Sequence, residues 1–523
     1  MLVTLGIWRL PRSDRGVDVR MTEVRVLAGL AIAAAWMAAQ GFAQTATPAA
    51  ATAPSVPAAS QPGAAGTAQR RGLGPAIGVP VLGMPGVHDP STVVRFHGKY
   101  YVYTTGRGAS FLSSPDGETW TREGSAFEKI PDEVHTLSPK NDGMGVWAPD
   151  IVRVDGKFYL YYAVSAWMSF QSAVAMMSNT VLDPKDPAYK WVDGGVVASS
   201  DGVEDLNAID PGVIHAPDGT LWLCYGSYHG TIDLVQLDPK TGQRIAPKSP
   251  GTVIANQSEA SDIIWHDGFY YLFVNHGSCC KGEDSEYNIR VGRAKAITGP
   301  YLDKHGDPMT RGAGSLFLAA HDHRIGPGHF GRVLDYDASP DGSEGGPERF
   351  SIHYEADTTR GGRSVLDIRP LLWSVDGWPV AGDNLTDDVC QIVSRQTENT
   401  LEEHTPTAPA AVQVPQGPPV LRATQYLALD KQRWTIARAG GGFYKLVNAG
   451  TGDAIGMPGE GTIELGPYKG TDGQMWRLDE FPDGGYRIQN KQTGQDLTTA
   501  GASGVATGAF IRDDQHLWTI TTP

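Results

Sequence analysis

From His88 onward the chain alternates short runs of β-branched and aromatic residues with glycine turns, a pattern that suits strands and gives little helical periodicity. Four segments share one plan, a β-type run, a glycine turn and an aromatic strand: HDPSTVVRFHGKYYVYTT, VWAPDIVRVDGKFYLYYAV, IDPGVIHAPDGTLWLCYGS and SEASDIIWHDGFYYLFVNHGS. Each predicts a β-hairpin, with its turn at Gly98, Gly156, Gly219 and Gly268. A fifth segment, GPGHFGRVLDYDASPDGSEGGPERFSIHYEA, fits if its turn carries a longer insertion. The turn glycines lie 58, 63 and 49 residues apart. Four-stranded propeller blades begin at about 40 residues, so loop insertions account for that spacing. The expectation is an all-β chain: a five-bladed β-propeller over 78–390, then a smaller β-trefoil-like domain over 420–523.

The repeat also places chemistry. Nine residues before the turn glycines stand Asp89, Trp147, Asp210 and Glu259, and His329 is the fifth repeat's counterpart. The first strand of each blade lines a propeller's channel, so these positions converge on one point. Asp-Pro alone commonly opens a turn, and Ser-Glu-Ala alone is unremarkable. Three carboxylates at matching offsets near an axis repel one another, which a sequence shaped for stability alone avoids. Such a set suits glycoside hydrolysis. One carboxyl must donate a proton to the leaving oxygen, an ionised one must activate water or attack, and a third can hold the acid protonated. A divalent cation site is the main alternative, but no Asp-rich calcium loop is present.

His88-Asp89-Pro90-Ser91, Trp147-Ala148-Pro149-Asp150, Asn207-Ala208-Ile209-Asp210-Pro211 and Ser258-Glu259-Ala260 resemble the motifs of glycoside hydrolase family 43. The likeness is greatest to its endo-α-1,5-L-arabinanase branch. Gly226-Ser227-Tyr228, Cys279-Cys280, Tyr287-Asn288-Ile289, Thr298-Gly299-Pro300-Tyr301, Gly326-Pro327-Gly328-His329 and Asp376-Gly377-Trp378-Pro379 extend it over roughly Val81 to Ala381. The resemblance implies an inverting enzyme that cleaves arabinan or arabino-oligosaccharides. Asp89 would be general base, Glu259 general acid, and Asp210 the group that tunes and orients the acid. Base and acid would stand about 6.5–9.5 Å apart, leaving room for water. It further implies one calcium ion near His329, mostly water-coordinated, and no organic cofactor. Trp147 would stack on a sugar and Trp167 would serve the neighbouring subsite, while His88, Asn207 and Ser227 would contact hydroxyls or orient the acids. Met168-Ser169-Phe170-Gln171-Ser172 and His229 depart from the family pattern near the cleft. They leave open an exo-acting α-L-arabinofuranosidase or β-xylosidase. A non-catalytic glycan-binding propeller is a third reading, which the three acids oppose.

In the C-terminal part, Gln432-Arg433-Trp434, Gln474-Met475-Trp476 and Trp518 recur at intervals of 42 residues. Tyr444, Asn448 and Gly452 repeat as Tyr486, Asn490 and Gly494. This unit resembles the ricin-type β-trefoil lectin repeat, with a degenerate or truncated unit before Trp434. It implies a carbohydrate-binding module, or a small β-domain whose tryptophans only shape its core. A Pro- and Ala-rich stretch marks 391–419 as the expected linker.

Composition narrows the partners. A formal net charge of −15 disfavours nucleic acid and polyanionic substrates and leaves a neutral polymer. Arg25, the apolar run Val26–Ala39 and the small-residue site Gly41-Phe42-Ala43 make 1–43 an N-terminal extension and signal peptide, with 44–77 a disordered leader. The run is shorter than the roughly 20 residues a membrane span needs. Export to the periplasm or medium, with no membrane span after cleavage, is therefore expected, and a monomer is the default. Cys279 and Cys280 are adjacent and could join in an oxidising compartment; four cysteines are too few for a disulfide scaffold.

Overall fold

A computed structural model describes residues 80–82, 85–247, 249–338, 348–385, 389–406, 417–521 and 523. The expected signal peptide and leader lie outside the described residues. Blade 1 is built from Val93–Phe96, Lys99–Thr104, Ser110–Ser114 and Thr119–Ser125. Blade 2 is Gly145–Val154, Lys157–Val164, Gln171–Asn179 and Val192–Asp201, and blade 3 is Gly212–His215, Leu221–Gly226, Thr231–Leu237 and Thr252–Asn256. Blade 4 is Glu259–His266, Phe269–His276, Asn288–Ala294 and Ser315–Leu318, and blade 5 is Arg324–Asp335, Arg349–Asp357, Arg363–Trp373 and Pro379–Ala381. The repeats are thus five antiparallel blades. The ring closes where the inner strand of blade 5 runs parallel to that of blade 1, with Val333 opposite Val93.

The turns follow from their dipeptides. His97-Gly98, Asp155-Gly156 and Asp267-Gly268 each have two consecutive positive φ angles, the type I′ geometry that matches strand twist. Each blade buries both faces against its neighbours, so strands such as KFYLYYAV are apolar almost throughout. The core is a set of inter-blade layers. Phe158, Leu160 and Tyr162 fill one side of blade 2, while Tyr159, Tyr161 and Val174 face blade 3. Val87, Val93, Trp120, Leu366 and Ile368 close blade 5 on blade 1. The buried Asp150 accepts the N–H groups of Thr92 and Val213, both at 2.9 Å, tying the inner strands of blades 1, 2 and 3.

The second domain starts earlier than expected. Described residues within the expected linker, 391–419, are strands of that domain: Val389–Ser394 pairs with Trp518–Thr521 and Trp434–Gly440, and Thr400–His404 pairs with Val420–Thr424. They form the first trefoil unit; the Pro- and Ala-rich residues 407–416 lie outside the described residues. That unit is degenerate but complete. Cys390 pairs with Trp434 where Tyr444 pairs with Trp476 and Tyr486 with Trp518. Glu398, at φ 57°, takes the left-handed place of Gly452 and Gly494. That Pro- and Ala-rich stretch, together with Cys390, Ser394 and Glu398 in the repeat positions, hid the unit from the sequence pattern. The three indole N–H groups donate to the carbonyls of Leu401, Ile455 and Leu497, each at 2.9 Å. These tryptophans are fully buried and shape the barrel core. Among the described residues no helix is long and apolar enough to cross a membrane.

Candidate active site

On or just before the inner strand of every blade stands a residue held in the left-handed region: Asp89, Ala148, Asp210, Ala260 and His329, with φ between 42° and 53°. Non-glycine residues rarely adopt this conformation, and it concentrates where a site over-determines the backbone. Three sheets also show a register shift there, between Trp147 and Asp150, Glu259 and Asp262, and Gly328 and Gly331. The residues at equal offset from the turn glycine are therefore not all equivalent. The stretches Ala148–Val154 and Ala260–His266 are one residue shorter than Asp89–Phe96, so the nine-residue count lands one position early in blades 2 and 4. Trp147 and Glu259 precede the left-handed residue, whereas Asp89, Asp210 and His329 occupy it.

The bulge turns backbone N–H groups toward the site's polar side chains. Ala260 N–H donates to Asp210 Oδ2 at 3.2 Å, and Ala148 N–H donates to Thr105 Oγ1 at 2.8 Å. Thr105 in turn donates to Asp89 Oδ2 at 2.6 Å. Asp89 N–H donates to His353 Nδ1 at 3.1 Å, and His329 N–H donates to Asn275 Oδ1 at 3.0 Å. Asp89 also accepts from His88 Nδ1 at 2.9 Å, and its Oδ1 stands 3.6 Å from His329 Nδ1 and 3.8 Å from His353 Nδ1.

These surroundings separate the three acids. Burial alone would raise Asp89, but His88, His329 and His353 outweigh it and hold the carboxyl far below the usual range. Glu259 is pushed up to about 7, first by burial and then by the charges of Asp89, Cys280 and Glu355; the Tyr287 hydroxyl, donating to Oε1 at 2.5 Å, opposes that rise. Asp210 is also raised well above its ordinary value, by burial, Glu259 and Asp89. Near neutral pH the site therefore holds an ionised carboxylate beside carboxyls that retain a proton, the division of labour that acid–base hydrolysis needs. His329 is buried and lowered to about 4, by burial before any charge, so its imidazole is neutral.

The remaining expected residues divide. Trp147 is half-buried at the start of blade 2, whereas Trp167 is 70% exposed beside the exposed Met168. Asn207 and Ser227 are buried and bonded to each other at 3.2 Å, and Asn207 accepts from Ser172 at 2.7 Å. They form an internal prop and do not reach out to solvent. Phe170 and His229, both at departures from the family pattern, stack face to face with centroids 3.6 Å apart. Sequence reasoning assigned no role to Thr105, Tyr287, His353, Glu355 or Cys280. Tyr287 and Cys280 stood within matched motifs; the others carried no positional signal. All four cysteines are free, and the Sγ atoms of Cys279 and Cys280 are 2.6 Å apart.

The chain is similar to known proteins over both of its domains. The family described as glycosyl hydrolases family 43 matches residues 78–379, and a ricin-type beta-trefoil lectin domain-like family matches 430–512. An extracellular exo-α-(1→5)-L-arabinofuranosidase of Cellvibrio japonicus is 36% identical over 310 residues, covering 56% of this chain and 85% of that protein. An extracellular endo-α-(1→5)-L-arabinanase of Bacillus subtilis is 33% identical over 305 residues, covering 56% of this chain and 87% of its own length. Among solved structures, the Cellvibrio cellulosa α-L-arabinanase complexed with arabinohexaose superposes with a TM-score of 0.53 at 33% identity, covering 57% of this chain and 96% of that one.

Proposed function

The chain belongs to the glycosyl hydrolases of family 43, and from that premise we propose that it is a secreted endo-acting hydrolase of α-1,5-linked L-arabinan that inverts the anomeric centre. The single observation that carries this reading is the opposed tuning of Asp89 and Glu259 around one channel. Asp89, ionised and held by Thr105 and three histidines, accepts a proton from the attacking water. Glu259, still protonated near pH 7, delivers a proton to the leaving sugar oxygen. Asp210 accepts the N–H of Ala260, the residue after the acid, and from that fixed place beside Glu259, its own carboxyl kept protonated by burial, it orients the acid. Trp147 offers an indole face to a sugar ring at the channel mouth. The relatives' names supply the substrate, and those named extracellular support export.

His329 offers one buried, neutral imidazole nitrogen, and its Nδ1 stands 3.6 Å from the carboxylate oxygen Oδ1 of Asp89. That donor set fits a cation completed mainly by water and held to the protein at His329. Such an ion supplies positive charge beside the base, and no proton transfer runs through it. The lectin-like domain would hold the enzyme on a polysaccharide.

An exo-acting enzyme is the second reading, favoured by the 36% identity to an exo-arabinofuranosidase and by the Phe170–His229 stack bridging the loops of blades 2 and 3. A product time course on linear and branched arabinan, with xylan and an aryl arabinoside as controls, separates the two. A ladder of oligosaccharides from linear arabinan is expected. Monomer alone would move the enzyme to the exo reading, and release from xylan alone would overturn the substrate.

A further inference from the structure

We propose that His88, Cys280 and Glu355 form a binding site for a thiophilic divalent metal ion of the zinc class, beside the catalytic base and separate from His329. One ligand atom from each of the three lies within 4.8 Å of the others. The hydrogen bonds decide which histidine nitrogen faces the metal. The Asp89 carboxylate can only accept, so His88 Nδ1 carries the proton of their 2.9 Å bond. His88 Nε2 stands 3.4 Å from Glu355 Oε1, so a metal ion bound there takes the place of the proton on that nitrogen. That oxygen is buried and also stands 3.5 Å from His353 Nε2, so it faces two imidazoles at the long edge of hydrogen-bond distance. A cation held among the three side chains would meet that buried carboxylate more closely than imidazoles at 3.4 and 3.5 Å do.

The neighbouring group His88, Asp89 and His353 meets the same distance criterion but is already committed. His353 Nδ1 accepts the Asp89 N–H, so its proton sits on Nε2, which has no lone pair to give. Nitrogen, sulfur and oxygen from three side chains suit zinc and not calcium, which takes oxygen ligands. Asp89, His88 and the metal also reproduce the carboxylate–histidine–metal arrangement that fixes a ligand ring. The bound ion makes His88 Nδ1–H a stronger donor to Asp89 and draws electron density from the base, so filling the site inhibits hydrolysis. That last step rests on Asp89 being the base; the binding site itself does not.

The test uses the full chain with its thiols kept reduced and counted, because a bond between Cys279 and Cys280 would remove the ligand sulfur. Equilibrium dialysis against zinc chloride should find one ion lost on Cys280→Ser and retained in Cys279→Ser, with Glu355→Gln weakening it by about tenfold or more. Cobalt(II) should give a thiolate-to-metal charge-transfer band that Cys280→Ser abolishes. Zinc should inhibit arabinan hydrolysis by the wild type, reversibly with a chelator, and inhibit Cys280→Ser far less. Zinc affinity unchanged in Cys280→Ser, or no thiolate band in the wild type, overturns the site. A Cys280-dependent ion that leaves turnover untouched keeps the site and refutes the coupling to Asp89.

Discussion

Replacing Tyr287 with phenylalanine isolates the one contact that opposes the high affinity of Glu259 for its proton. The Tyr287 hydroxyl donates to Glu259 Oε1 at 2.5 Å and stabilises the ionised form. A hydrogen bond to a charged group is worth about 1.5–3 kcal/mol, and each pH unit corresponds to about 1.36 kcal/mol, so its loss should raise the acid by about one to two units. Tyr287 is buried, so removing the hydroxyl also deepens desolvation, which acts in the same direction. Hydrolysis requires Glu259 protonated, and activity therefore falls as pH rises through its pKa. The alkaline limb of kcat/KM should move from about 7 to about 8–9. The acid limb should stay fixed, because Asp89 is held down by His88, His329 and His353. The assay is kcat/KM for a soluble arabino-oligosaccharide across pH, for wild type and variant. An alkaline limb that stays put, or moves to lower pH, refutes Glu259 as the acid governed by this contact.

Thr105→Val removes the hydroxyl that links Ala148 N–H to Asp89, and kcat should fall by about ten- to a hundredfold with an unchanged circular dichroism spectrum. Trp476→Ala empties the centre of the trefoil core and should cost about 3–5 kcal/mol, read as a lowered calorimetric transition of that domain. Chelation followed by calcium should lower and then restore activity or melting temperature; metal analysis finding no bound ion in active enzyme would remove the ion at His329.

The propeller was legible because each hairpin carries its own local signal: an Asp-Gly or His-Gly turn, then an aromatic strand buried on both faces. The carboxylates were legible because they sit at a fixed distance from those turns. What the count could not reveal was the bulge, since a left-handed Ala148 or Ala260 looks like any alanine. The supporting residues were hidden for a related reason. His353 and Glu355 come from the second strand of blade 5 and reach Asp89 and His88 only once the ring has closed. The first trefoil unit was missed because the stretch between its paired strands has the composition of a linker, and only strand pairing shows the chain returning to the sheet.

The central claim is that Asp89 activates a water molecule on the face opposite the proton that Glu259 delivers. Proton NMR of linear α-1,5-arabinan during the first minutes of hydrolysis reads this directly from the new reducing ends. The account predicts that the β-anomer appears first and the α-anomer grows in only by mutarotation. The α-anomer appearing first would mean retention through a covalent intermediate and would contradict the assignment of Asp89 as base.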